Sequence, residues 1–143
     1  MLADELSKSY VNGRSSESTL INFASKTDTA SLQRCLRRGI AYHHAGVDPF
    51  DRRLVEEAFG SGSISCLCAT STLAMGVNLP SHLVIIKGTS AYRGLETGHQ
   101  DIDAGTLLQM MGRAGRPGFD KSGTAVIMTD SLSKRRYENI SQG

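Results

Sequence analysis

Apolar runs at residues 40–43, 64–69, 83–87 and 124–128 are separated by segments whose apolar residues recur at helical spacing. This alternation constrains the fold more than any other feature of the chain. Parallel strands need a crossover of about a dozen residues or more, which a helix supplies. The pattern therefore predicts an α/β domain, with a parallel sheet flanked by helices in three layers.

The helices are read from stripes and caps. Leu2, Leu6 and Tyr10 share a face, predicting a helix over 2–11, and residues 12–18 read as a loop. Leu32, Cys35 and Leu36 form the stripe of a helix over 29–38, stopped by Gly39. Asp48 caps the next helix, with Pro49 in its first turn and Leu54, Val55, Ala58 and Phe59 on its apolar face. A further helix starts near Asp103 and carries Leu107, Leu108 and Met111, and a last one covers 131–141. Residues 88–103, with Gly88, Gly94 and Gly98, show little periodicity and read as a surface loop. The chain opens on a helix where a doubly wound domain opens on a strand, so the sheet is expected to lack its first strand.

Composition narrows the classes. At 143 residues and 39% hydrophobic, the chain suits one domain spanning 1–143. A net charge of +2 gives no broad basic field, so any nucleic-acid contact is local. No apolar run approaches the roughly 18 residues of a membrane span, so no membrane contact is expected, and no signal peptide is visible. Cys35, Cys66 and Cys68 match neither a zinc spacing nor an even disulfide set, and read as reduced core residues. His43 and His44 are adjacent on a strand and point to opposite faces, so no metal site is expected.

Chemistry concentrates in residues 109–118, Gln-Met-Met-Gly-Arg-Ala-Gly-Arg-Pro-Gly. Guanidiniums grip phosphate oxygens in a bidentate fork, and glycines permit close approach. Pro117 pushes Arg116 out of helical geometry, so Arg116 is expected just past a helix end, free to project. A basic helix end complementing its own dipole is the alternative for Arg113 and Arg116. Ligands of open parallel sheets sit at the carboxyl ends of strands, and three clusters are expected to converge there. These are His44-Ala45-Gly46, the stretch from Thr70-Ser71-Thr72 to Pro80, and the glycine–arginine run. Thr70, Ser71 and Thr72 suit phosphates or simply cap a helix. Gly76 and Asn78 suit a close backbone approach with a directed amide, or a tight turn. The chain contains no GxxxxGK[ST] loop and no strand-end Asp-Glu pair. The arginines are thus phosphate-contacting groups without a phosphate site, the arrangement of an arginine finger reaching a nucleotide held by another domain.

In order and spacing, three clusters resemble the second RecA-like domain of superfamily-two helicases of the Ski-like branch. His43-His44-Ala45-Gly46, followed by Asp51-Arg52-Arg53 and Glu56, resembles that branch's helix after the second strand. Residues 69–80 resemble motif V and residues 109–117 resemble motif VI, within a match over about residues 40–130. The string Ser-Thr-Leu-Ala-Met-Gly-Val-Asn-Leu-Pro and the ending Thr-Ala-Val-Ile-Met-Thr are most similar to the meiotic crossover DNA helicases. The resemblance implies a RecA-like fold, ATP-driven translocation on a single strand and 3′-to-5′ unwinding.

By the same resemblance, Arg113 and Arg116 are catalytic and stabilise charge on the transferring phosphoryl group. Gln109 helps to position them, and Gly76 and Asn78 lie near the ribose and phosphates of the nucleotide. Thr70, Ser71 and Thr72 hold strand phosphates, with Gly46 and Arg53 along the same strand. ATP and Mg²⁺ are then held mainly by a first RecA-like domain, whose motifs these residues do not include, so the chain alone is expected to be inactive. The implied partners are that first domain of the same full-length protein and single-stranded or branched DNA, in the nucleus. An RNA helicase of the same branch, or a non-catalytic binding module for nucleic acid or protein, is the alternative.

Overall fold

Asp48 accepts a hydrogen bond from the Phe50 amide at 2.8 Å and so opens the best-signalled helix, α4 (Pro49–Gly60). In the computed structural model, which describes residues 2–8, 15–71, 73, 76–92 and 99–142, α4 links two parallel strands, β1 (Ile40–His43) and β2 (Cys66–Ala69). They pair from Ile40 opposite Cys66 to His43 opposite Ala69. α4 turns Leu54, Val55 and Ala58 inward, the stripe its sequence predicts. The helix before β1, α3 (Ala30–Arg37), buries Leu32, Cys35 and Leu36, and Gly39 turns the chain into the strand. Each such side chain, fully buried, contributes about 1.5–3 kcal/mol. Tyr42 extends the anchoring of β1, because its hydroxyl meets Ser31 Oγ of α3 at 2.8 Å.

These elements belong to the first of two compact units, Met1–Leu79. The unit departs from the sequence reading at its start. α1 covers only Leu2–Leu6, and Tyr10 lies outside the described residues. Of the loop expected at 12–18, residues 12–14 lie outside the described residues and 15–16 are irregular, while α2 (Glu17–Ser25) takes its last two positions, capped by Ser16, whose side chain accepts from the Thr19 amide. Leu20, Phe23 and Ala24 are its buried face, at i, i+3 and i+4. The signal is real but spans barely two turns, and the polar residues at its start read as loop. β2 begins two residues late, because the Ser65 and Cys66 amides both turn back to the Gly39 carbonyl.

The second unit, Pro80–Gly143, contains β3 (Leu83–Ile86), β4 (Ser90–Tyr92), β5 (His99–Asp101), α5 (Ala104–Met111), β6 (Thr124–Ile127) and α6 (Lys134–Gln142). β3 and β6 are parallel, from Leu83 opposite Thr124 to Ile86 opposite Ile127. Asp103 caps α5 through the Thr106 amide at 2.9 Å. Ile86, Ile102, Leu107 and Tyr137 form the core, with the Tyr137 hydroxyl donating to the Thr89 carbonyl at 3.2 Å.

The expected surface loop at 88–103 is corrected here. β4 and β5 pair antiparallel within it, from Ser90 opposite Asp101 to Tyr92 opposite His99. The Ile102 amide continues the pairing onto the Thr89 carbonyl at 2.7 Å. Strands of three residues hold too few alternations to register as periodicity. Residues 93–98 lie outside the described residues. The class read from the alternation is observed: α/β, with a parallel strand pair and packed helices in each unit.

Candidate nucleotide and nucleic-acid site

In the first unit the parallel pair brings two of the three clusters to one edge. β1 and β2 end side by side, and the Thr70 amide donates to the His43 carbonyl at 3.3 Å. The carboxyl edge therefore carries His44-Ala45-Gly46 on one strand and Thr70-Ser71 on the other. Thr70, Ser71 and Gly46 are exposed, and Arg53 is exposed on α4. The Gly46 amide is held by His44 Nδ1 at 3.1 Å. Thr72 lies outside the described residues. Gly76 and Asn78 are exposed, and a Cβ built on Gly76 meets nothing within 4 Å among the described residues. Packing among the described residues therefore does not require a glycine there.

His43 takes the opposite face from His44, as adjacent strand residues must. It is buried, and its Nε2 meets Glu56 Oε1 of α4 at 2.8 Å while Nδ1 has no hydrogen-bond partner among the described residues. Glu56→Ala would leave both ring nitrogens unpaired, at a cost of about 1–3 kcal/mol. A denaturant titration should show the midpoint falling for Glu56→Ala and falling less for Glu56→Gln, which keeps a side-chain partner. The three thiols form no disulfide: burial pushes Cys35 up, while a hydrogen bond from Cys68 lowers Cys66 to about 7. Among the described residues no group of three His, Cys, Asp or Glu could hold a metal ion. No helix there is long and apolar enough to cross a membrane.

The glycine–arginine run lies in the second unit, and its position corrects an expectation. It does not sit at carboxyl strand ends. α5 delivers the chain to the start of β6, so the run lies beside the amino ends of β3 and β6. Ser81, just before β3, fixes it from two sides. The Ser81 amide donates to the Arg113 carbonyl at 2.9 Å, and the Gly115 amide donates to the Ser81 carbonyl at 2.7 Å. Gly115 takes φ +96°, a left-handed conformation that disfavours any side chain. Gly123 comes so close from the far side that a Cβ on it would overlap the Ala114 carbonyl.

Arg116 also departs from expectation: it is not free to project. Its Nε meets Asp120 Oδ2 at 2.8 Å and its Nη2 meets Oδ1 at 2.9 Å, a bidentate pair. The Arg116 amide adds a third bond to Oδ2 at 3.0 Å, and the Asp120 amide returns one to the Arg116 carbonyl at 2.9 Å. Pro117 and Gly118, at φ +82°, bend the chain so that Asp120 folds back onto Arg116. His82 Nδ1 approaches the same carboxylate at 3.3 Å. The Arg116 guanidinium holds the Asp120 carboxyl well below the usual carboxylate range, and Asp120 raises Arg116 in return. A carboxyl lowered on folding keeps its pair above its ordinary value near 4 and loses it only as pH falls through the lowered one. The pair is therefore intact across the neutral range.

The Asp120 carboxylate is 8% exposed and the Arg116 side chain 41%, so the arginine remains open to a ligand. Its Nη1 makes no hydrogen bond among the described residues. Arg113 is half-buried, and Gln109 is exposed on α5. The donor set fits a phosphate, while nothing in the described site supplies an oxygen cluster for Mg²⁺. Sequence reasoning missed Asp120, Ser81 and His82. The aspartate four residues after Arg116 was its available signal.

Parallel strand pairs with crossover helices, a hydroxyl-bearing strand edge and a glycine–arginine turn define a RecA-like helicase domain of the superfamily-two, Ski-like kind. The chain belongs to the helicase conserved C-terminal domain family, whose model matches residues 2–118. It is 55% identical over 113 residues to the ATP-dependent DNA helicase MER3 of Saccharomyces cerevisiae, covering 78% of this chain and 9% of that protein. It is 47% identical to the probable ATP-dependent DNA helicase HFM1 of Xenopus tropicalis, covering 84% of the chain and 9% of that protein. The DExH-box ATP-dependent RNA helicase DExH14 of Arabidopsis thaliana is also 47% identical, over 87% of the chain and 6% of its own length. The chain thus spans less than a tenth of each of these relatives.

Proposed function

We propose that residues 1–143 are the second RecA-like domain of an ATP-dependent 3′-to-5′ DNA helicase, and supply the arginine half of its ATP site. The observation that carries this reading is the Arg116 turn. A half-exposed guanidinium is fixed along one edge, with Nη1 making no hydrogen bond among the described residues, in a domain of this family. Arg113 and Arg116 would stabilise charge as the phosphoryl group transfers, Gln109 would support them, and Gly76 and Asn78 would face the nucleotide. Thr70, Ser71 and Thr72, with Gly46 and Arg53, would hold the phosphates of the translocating strand. The chain lacks a phosphate loop, so ATP and Mg²⁺ would be held mainly by the first RecA-like domain of the same full-length protein. The strings shared with meiotic crossover helicases support a nuclear role in DNA recombination.

The purified 143-residue chain should show no ATPase above background. A rate that Arg116→Ala abolishes in that chain would overturn the shared-site reading. The second reading, an RNA helicase, has a specific basis: one probable DNA helicase and one RNA helicase are both matched at 47% identity. Hydroxyl and amide contacts to phosphates do not report the sugar. Unwinding of matched DNA and RNA duplexes by the full-length protein separates the two.

A further inference from the structure

The geometry points to Asp120 as the residue that positions Arg116 for the nucleotide, and this rests on reading Arg116 as the arginine finger. An arginine carries high rotamer entropy, and a finger must meet its phosphate in one orientation. Asp120 removes that freedom. It engages Arg116 at Nε, Nη2 and the backbone amide, at 2.8, 2.9 and 3.0 Å. The carboxylate is itself fixed, being nearly buried, closed into the turn by its own amide and approached by His82. An ordinary surface ion pair has two exposed partners and a single contact. Here one partner is buried and the grip is bidentate, along one edge of the guanidinium. The opposite corner, Nη1, makes no hydrogen bond among the described residues and faces the proposed phosphate oxygen. The backbone bridge at Ser81 seats the same turn, and His82 is the next residue.

The experiment measures single-strand-stimulated ATPase of the full-length protein for Asp120→Asn, Asp120→Glu, Arg116→Ala and the double variant Arg116→Ala/Asp120→Asn. Asp120→Asn should lower kcat about 10- to 100-fold, the scale of a finger misplaced by about an ångström, and change the KM for ATP less than about 3-fold. Asp120→Glu keeps the charge and should recover part of the loss. If Asp120 acts through Arg116, adding Asp120→Asn to Arg116→Ala should change kcat less than about 2-fold. Unchanged or raised kcat in Asp120→Asn would overturn the proposal, as would an equal loss in the Arg116→Ala background, which marks a structural role. Where Asp120→Asn melts far below the parent, Asp120→Glu carries the test. It should melt like the parent with intermediate kcat, and parental kcat in it would count against positioning. Full turnover in Arg116→Ala defeats the finger reading itself, a different failure from loss in Arg116→Ala without loss in Asp120→Asn.

Discussion

Arg116→Ala in the full-length protein is expected to lower ATP turnover about 10³- to 10⁵-fold, the contribution of an arginine finger. Single-strand binding should persist, because the groups proposed to hold the strand lie on the first unit, at the ends of β1 and β2. Lysine at this position should rescue little: an ammonium is a point charge and cannot grip Asp120 along one edge while offering a second corner to phosphate. The measurement is steady-state ATPase beside a single-strand binding titration on the same preparation. Parallel loss of both would mark Arg116 as a structural residue. Retained turnover would return it to the bland role of a charged helix end.

Gly123→Ala is the second large effect, and it acts on stability. A Cβ at Gly123 would overlap the Ala114 carbonyl carbon and oxygen and crowd the Gly115 amide. These are backbone atoms, and Ser81 holds the same turn by hydrogen bonds to the Arg113 carbonyl and from the Gly115 amide. No side-chain rotation relieves the overlap, so either the turn or the start of β6 must move. Overpacking of a close-packed site costs about 1–3 kcal/mol and occasionally more. The backbone contact places this case at about 3 kcal/mol, a fall of about 10 °C or more in Tm for a unit of this size. Gly76→Ala is the control, since its Cβ meets nothing within 4 Å among the described residues. Calorimetry of the two variants should separate them clearly. Equal melting of Gly123→Ala and the parent would show that the turn tolerates displacement.

The local elements were largely legible because their signals are local. α4 was read from an Asp48 cap, Pro49 and a stripe within a dozen residues, and β1 from one apolar run. α2 and the β4–β5 pair escaped because two helical turns or three-residue strands hold too few periods to stand out from loop composition. The proposal that Arg113 and Arg116 contact phosphate likewise comes from residue types and spacing. Their setting does not. Asp120 is only four residues from Arg116, yet nothing in the spacing says that the chain reverses to bring the carboxylate onto the guanidinium. That follows from the bend at Pro117 and Gly118.

By itself, then, the sequence determined the α/β class, the helices and strands with strong periodicity, and which residue types are proposed to meet phosphate. Each of these depends on backbone preference and side-chain chemistry that act over a few residues. The tertiary structure alone decided that the run is stitched to Ser81 at the amino ends of β3 and β6. It also decided that Gly123 must lack a side chain and that Arg116 is held rather than free. The Ser81 bridge joins segments far apart in sequence, beside the β3–β6 pair, while the Arg116–Asp120 and Ala114–Gly123 contacts close across a turn.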